Sequence, residues 1–184
     1  MSRTRTAIAL LLAATCIVGA HPPLSAASNG TSESAVAPIP VLPTHVFLLG
    51  RSGMVVRDAV NGAIERIRRP RCESLIGELR DTEGRPLAWN LSLSGMGAAD
   101  YLAHLRFVEG DGLDQCTLET NVALTQPRNR VIFICGLRFT RYFATQRRDS
   151  AAIVIHEFLH SLGLGENPPT SAEITQMVIA RCGD

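Results

Sequence analysis

The hydrophobic pattern predicts a helix early in the folded part of the chain. Between residues 56 and 67, apolar residues recur at helical spacing, and arginines and acidic residues lie between them. This spacing predicts an amphipathic helix that runs to about Arg69 and ends at Pro70. The residues that follow predict a further short helix at 72–79 and a turn at 81–84.

Three later segments have the composition of β-strands. Residues 101–108 and 117–125 are strand-like, and glycines at 110 and 112 separate them. Residues 130–135 contain four consecutive apolar side chains, which are typical of a buried strand. The prediction is therefore a small mixed sheet in the middle of the chain.

The period returns to that of a helix after the third strand. Ser150 can cap a helix in which Ile155, Leu159 and Leu162 recur at i, i+4 and i+7 and face the core. Gly163 is expected to end this helix.

A last helix is predicted from about Ser171 to Arg181. Thr170 precedes it and Glu173 follows three residues later, which is the spacing of a capping box. Together, these elements predict a single compact α+β domain at residues 45–184, which are enough for one hydrophobic core and too few for two domains.

The N-terminal residues differ from this pattern. Arg3 and Arg5 precede an apolar run at residues 7–20, and small residues follow that run. This arrangement predicts a signal peptide at residues 1–27, cleaved after Ala20 or Ala27, although an uncleaved anchor is the alternative. Residues 28–44 are rich in Ser, Ala and Pro and predict a flexible lead. We therefore expect an exported protein, periplasmic or secreted, without a stable membrane span after cleavage.

The charge composition argues against nucleic-acid binding. All 18 basic residues are arginine, and two lie in the predicted signal, which leaves 16 against 17 acidic residues. A nucleic-acid-binding domain would carry a basic excess or a basic stripe.

Four of the five cysteines lie beyond the predicted signal: Cys72, Cys116, Cys135 and Cys182. An even number in an exported chain predicts two disulfides, and the spacing leaves all three connectivities open. Because these four form no C-x-x-C pair, we do not expect a cysteine zinc site.

The candidate chemistry lies at the end of the chain. His156 and His160 are four residues apart, so that a helix places both rings on the same face, where they can bind one metal ion. Glu157 follows the first histidine and is positioned to act as a general base toward a water on that metal. The alternative is an ordinary amphipathic helix with two polar residues on its solvent side.

The extended motif His156-Glu157-x-x-His160-x-x-Gly163-x-x-Glu166 resembles the zinc motif of the metzincin metallopeptidases. The resemblance implies a zincin-like fold, one zinc ion and a third ligand three residues after the glycine, which here is Glu166. The family usually has histidine at this position and sometimes aspartate. Glutamate is a departure, but a carboxylate oxygen is an accepted zinc ligand.

Two further expectations come from related families. The gluzincin metallopeptidases take a glutamate from a later helix, which makes Glu173 the rival third ligand. The metzincins have a methionine turn beneath the metal, and Met177 is the only methionine after the motif. Helical spacing around Met177 instead predicts a core residue of the last helix.

These features predict a zinc-dependent peptidase that hydrolyses peptide or protein substrates. The chain is also similar to small uncharacterised exported bacterial proteins that end in a comparable segment. The alternative function is an exported binding or envelope-assembly module in which zinc has a structural role. Other candidates for the site are His45 and His104, and Tyr101 and Tyr142 as oxyanion-stabilising groups.

Overall fold

The structure is a computed structural model that describes residues 45–183. The predicted signal peptide and flexible lead lie outside the described residues. Within these, the chain forms seven α-helices, three β-strands and a short 3-10 turn at Asp114–Thr117. The helices and strands are α1 (Gly50–Ile67), α2 (Pro70–Glu78), α3 (Leu87–Ser92), α4 (Ala98–Ala103), β1 (Arg106–Glu109), β2 (Ala123–Leu124), β3 (Val131–Ile134), α5 (Gly136–Thr145), α6 (Arg147–Ser161) and α7 (Ser171–Cys182).

The strands form one mixed sheet in the order β1-β3-β2. The central strand β3 pairs in parallel with β1 and antiparallel with β2. Phe107 of β1 lies opposite Ile132 of β3, and both side chains are fully buried. The predicted α+β class and the small mixed sheet are therefore confirmed.

The helix α6 lies at the centre of the domain. It packs against α1, α5 and α7, and nearly all of its residues from Ser150 onward are buried. Ile155, Leu159 and Leu162 face the core as predicted. The predicted cap was wrong, because α6 begins at Arg147 and the Ser150 hydroxyl donates to the Arg147 carbonyl inside the first turn.

The first two helices follow the predicted pattern, with one change in the role of Pro70. The helix α1 ends at Ile67, and Pro70 is the first residue of α2 rather than only a breaker. Proline is tolerated there because the first residues of a helix need no N–H for intrahelical hydrogen bonds.

The first predicted strand was wrong over its first half. Residues 98–103 form α4, and only residues 106–109 form β1. The buried residues of α4 are Ala98, Tyr101 and Leu102, at i, i+3 and i+4, a spacing that a helix directs to one side and an alternating strand does not. The six-residue helix α3 was not predicted, because it is too short to show a period.

The second predicted strand is much shorter than expected. Only Ala123 and Leu124 pair as β2, and residues 114–117 form the 3-10 turn. The guanidinium of Arg138 binds the carbonyls of Cys116, Thr117 and Leu118, so these acceptors are engaged by a side chain and not by a neighbouring strand. Tertiary contacts thus override the local strand preference.

Two disulfides are present, as the cysteine count predicted. Cys72 is bonded to Cys182, with a Cα–Cα distance of 4.7 Å, and Cys116 to Cys135, with 5.4 Å. The first connects α2 to the last residue of α7, and the second connects the 3-10 turn to the end of β3. Among residues 45–183, no helix has the length and apolar content needed to cross a bilayer.

The two disulfides should contribute unequally to stability. Cys72 and Cys182 are 110 residues apart, whereas Cys116 and Cys135 are 19 apart, and the longer loop loses more entropy when it is closed in the unfolded chain. We expect the Cys72→Ser/Cys182→Ser variant to lose about 2–5 kcal/mol of unfolding free energy, about 1.5 kcal/mol more than the Cys116→Ser/Cys135→Ser variant. Urea denaturation of both variants tests this order, and an equal or reversed loss would contradict it.

Candidate metal centre

The helix α6 brings three polar side chains to the floor of a cleft. His156, Glu157 and His160 are only 4 %, 5 % and 4 % exposed. The Nε2 atoms of the two histidines lie 2.9 Å apart, as expected for rings one turn apart on one helix. The motif is therefore buried, and the alternative of a helix with its polar residues on a solvent-exposed side is wrong.

The turn after α6 returns the chain to these histidines. Gly163 has a φ of +107°, a backbone conformation that residues with a side chain rarely adopt, and the helix ends just before it. Glu166 then reaches back, with its Oε1 3.2 Å from Nε2 of His160 and 3.6 Å from Nε2 of His156. The three side chains predicted to bind metal thus converge on one point.

Glu173 occupies a different position. Its carboxylate accepts hydrogen bonds from the backbone N–H of Thr170, at 2.8 Å, and from the Thr170 hydroxyl, at 2.9 Å. These bonds lower the pKa of Glu173 and form the predicted capping box of α7. Glu173 is therefore engaged in the helix cap and does not join the His156–His160–Glu166 group.

Each histidine has a partner for its other ring nitrogen. Nδ1 of His160 lies 2.8 Å from the Leu164 carbonyl, and Nδ1 of His156 lies 2.9 Å from the Thr175 hydroxyl of α7. Because a carbonyl only accepts, Nδ1 of His160 must carry a proton, and in the neutral ring Nε2 is then left with a lone pair. Outer partners of this kind fix the orientation of metal-binding histidines.

The donor set fits a zinc ion. Nε2 of His160 lies 3.2 Å from the carboxylate oxygen of Glu166, and when the ring is neutral these two acceptors repel unless a cation lies between them. Tetrahedral ligands with zinc bonds of about 2.0–2.1 Å lie about 3.3 Å from one another. The observed separations of 2.9, 3.2 and 3.6 Å bracket that value. Calcium would require longer bonds and more oxygen ligands.

Burial controls the electrostatics of the floor. Burial, together with the neighbouring His160, lowers the pKa of His156 to about 4, which keeps this ring neutral and able to bind a metal near pH 7. Burial, and then the charge of Glu166, raises the pKa of Glu157 to about 8. Oε2 of Glu157 is also buried without a hydrogen-bond partner among the described residues. A buried carboxyl oxygen without a partner is rare and indicates a site that receives another group.

The cleft above this floor has a volume of about 860 Å³. One wall is formed by residues 120–127, including the edge strand β2, and the other by α7 at residues 171–176. Apart from His156, His160, Glu157 and Glu166 on the floor, the described residues that line it are uncharged. They are Thr120, Asn121, Ala123, Leu124, Thr125, Gln126, Pro127, Ser171, Ala172, Thr175 and Gln176.

The remaining sequence candidates lie elsewhere in the described part of the chain. The Tyr101 hydroxyl donates to the Ser161 carbonyl at 3.3 Å in the interior, and Tyr142 lies on α5 outside the cleft lining. The His45 and His104 rings lie 6.0 Å from each other, also outside that lining. Met177 is part of the helix α7 and packs against the core, as the helical spacing predicted.

Two contributors to the site were missed by sequence reasoning. The Thr175 hydroxyl and the Leu164 carbonyl hold the histidine rings, but neither belongs to a motif. A threonine on a helix gives no sign of what it faces, and a backbone carbonyl is present at every residue.

Comparison with known protein families, with curated proteins and with solved structures finds no match.

Measurements of zinc binding should distinguish the role of Glu166 from that of Glu173. We expect one zinc ion per wild-type chain, retention of that ion in Glu173→Ala, and loss of tight binding in Glu166→Ala, because only Glu166 faces both histidines. Elemental analysis after dialysis against a weak chelator measures the stoichiometry. Loss in Glu173→Ala but not in Glu166→Ala would overturn this ligand set.

Thr175 should affect zinc affinity through His156. The Thr175→Val variant removes the partner of Nδ1, and such outer partners are typically worth about 10–100-fold in metal affinity. Thr175→Ser keeps the hydroxyl and is the matched control, with near wild-type affinity expected. Chelator competition measures both variants, and equal affinities would mean that the hydroxyl does not orient the ring.

Proposed function

We propose that this protein is a zinc-dependent peptidase whose metal is held by His156, His160 and Glu166. The observation that carries the proposal is the convergence of three metal-binding atoms beside the unpartnered Oε2 of Glu157, at the floor of an open cleft. Each element of metal-assisted hydrolysis has a counterpart there: ligands, a base and room for a substrate.

The residues divide the chemistry between them. Zinc in a site of this kind supplies Lewis acidity toward a water molecule and a carbonyl oxygen. Glu157 accepts a proton from the attacking water and returns it to the leaving amine. Thr175 and the Leu164 carbonyl keep the two histidine rings directed at the centre.

The shape of the cleft favours an extended peptide. The strand β2 is at the edge of the sheet and lines the cleft, so its free side can pair with the backbone of a substrate. Because the walls are uncharged, a charged substrate side chain would lose water contacts there without gaining an opposite charge. The proposed substrates therefore have uncharged residues around the bond that is cleaved.

The alternative is a binding or envelope-assembly module with a structural zinc site, and it has less support. A closed structural site has four protein ligands, whereas the group among the described residues has three and opens onto the cleft. A structural site also has no use for the buried carboxylate of Glu157. The two disulfides are typical of an oxidising compartment, which supports the proposed export.

The Glu157→Gln variant tests the mechanism. We expect it to bind one zinc ion with near wild-type affinity and to lose about 10²–10⁴-fold in turnover, because glutamine cannot accept the proton. Incubation with a peptide mixture, followed by mass spectrometry, measures turnover and identifies the residues at each cleavage point. A zinc-loaded wild type that cleaves nothing, or a variant as active as the wild type, would refute the peptidase proposal.

A further inference from the structure

We infer that Asp81 is a positioning residue for the metal centre, which it serves by holding the C-terminal end of α6 and the turn that follows. The inference rests on the proposed function, because it assigns Asp81 a role in metal binding. Asp81 is separated from the motif by more than seventy residues and belongs to no sequence pattern linked to zinc.

The carboxylate of Asp81 is the centre of a buried network. Its side chain is 0 % exposed. Oδ1 accepts the backbone N–H groups of Glu83 and Arg85, both at 2.9 Å. Oδ2 accepts from Arg85 at 3.0 Å, Asn90 at 2.9 Å and Arg128 at 3.0 Å. Arg85 and Arg128 each pair with both the buried Asp81 and the more exposed Glu83, and both oxygens of Asp81 accept hydrogen bonds.

The same network supplies donors to the end of α6. The last carbonyls of a helix have no intrahelical partner and need other donors. Asn90 Nδ2, which already binds Asp81, donates to the Leu162 carbonyl at 2.8 Å. The backbone N–H of Thr82 donates to the Gly163 carbonyl at 3.2 Å, and the backbone N–H of Arg128 donates to the His160 carbonyl at 3.0 Å. Three of the four carbonyls from His160 to Gly163 thus accept hydrogen bonds from residues of this network or from its immediate neighbours.

The contact between the network and the turn is close. A Cβ atom at Gly163 would lie 3.1 Å from Cβ of Asp81, and one at Gly165 would lie 2.9 Å from Cγ2 of Thr82. Arg128 has a φ of 66°, a conformation uncommon for a residue with a side chain, and it persists where surrounding contacts over-determine it. The segment between His160 and Glu166 therefore lies directly against residues 81–82.

This arrangement assigns Asp81 to positioning and not to catalysis. Asp81 does not line the cleft, whereas the turn that it holds determines where Glu166 lies and where the Leu164 carbonyl meets His160. Removing the carboxylate should release the turn and let both ligands shift. Buried ion pairs often contribute little net stability, so a geometric role is the better account of this one.

The experiment compares zinc affinity in Asp81→Asn and Asn90→Ala with that in Asp58→Asn. Asp58 pairs with Arg147 at 2.7 Å, at the opposite end of α6, and is the matched control. We expect zinc to bind about 10-fold or more weakly in the first two variants and unchanged in the control, by chelator competition. The absorption spectrum of the cobalt-substituted protein should shift in the same two variants, because it reports ligand geometry and not stability.

The outcomes separate this inference from the proposed function. A wild type that binds no zinc refutes the proposed function, whereas wild-type affinity and an unchanged cobalt spectrum in Asp81→Asn and Asn90→Ala overturn only the role of Asp81. If Asp81→Asn does not fold, Asn90→Ala decides alone, since it keeps both ion pairs of Asp81 and removes the two hydrogen bonds by which Asn90 links Asp81 to the Leu162 carbonyl. A weakened site in the control as well would also overturn the inference.

Discussion

The turn at Gly163 is the constraint on which the candidate site depends. Only a residue without a side chain fits there, because the backbone has a φ of +107° and Asp81 lies against it. This conformation follows Leu162, the residue that caps α6, and sends the chain back along the helix. The same turn places the Leu164 carbonyl on the ring of His160 and the Glu166 carboxylate beside both histidines. One backbone conformation thus determines two features of the centre.

The rest of the domain makes that turn possible by burying α6. Helices α1, α5 and α7 surround it, and the sheet carries the opposite wall of the cleft. Burial excludes water from His156, Glu157 and His160, and this raises the cost of leaving their polar atoms without partners. The outer nitrogens are satisfied by Thr175 and Leu164, whereas the inner ones and Oε2 of Glu157 face the cleft. Polar atoms arranged in this way can gain their missing partners when an ion or a ligand binds.

The two sides of the cleft are held by different means. The helix α7 begins with the capping box of Thr170 and Glu173 and ends at the disulfide from Cys182 to Cys72. The opposite wall follows the 3-10 turn, which Arg138 binds and which the disulfide from Cys116 to Cys135 connects to the end of β3. Both walls are thus anchored at a distance from the floor. Apart from His156, Glu157, His160 and Glu166, the described residues that line the cleft are uncharged.

The sequence by itself determined the parts of this protein that depend on local spacing. Helical periodicity located α1, α6 and α7, the apolar run located β3, and the spacing of His156, Glu157 and His160 indicated two candidate metal ligands and a candidate base. Residues 101–105 and 117–122 were wrongly predicted to be strand, because the buried side of α4 and the contacts of Arg138 override strand composition. Only the tertiary structure showed that Glu166 and not Glu173 lies beside the two histidines, and how the cysteines pair. It alone also showed the contact of Thr175 with His156 and the network around Asp81. Each of these features depends on which distant segments of the chain come into contact. Local residue spacing does not show those contacts.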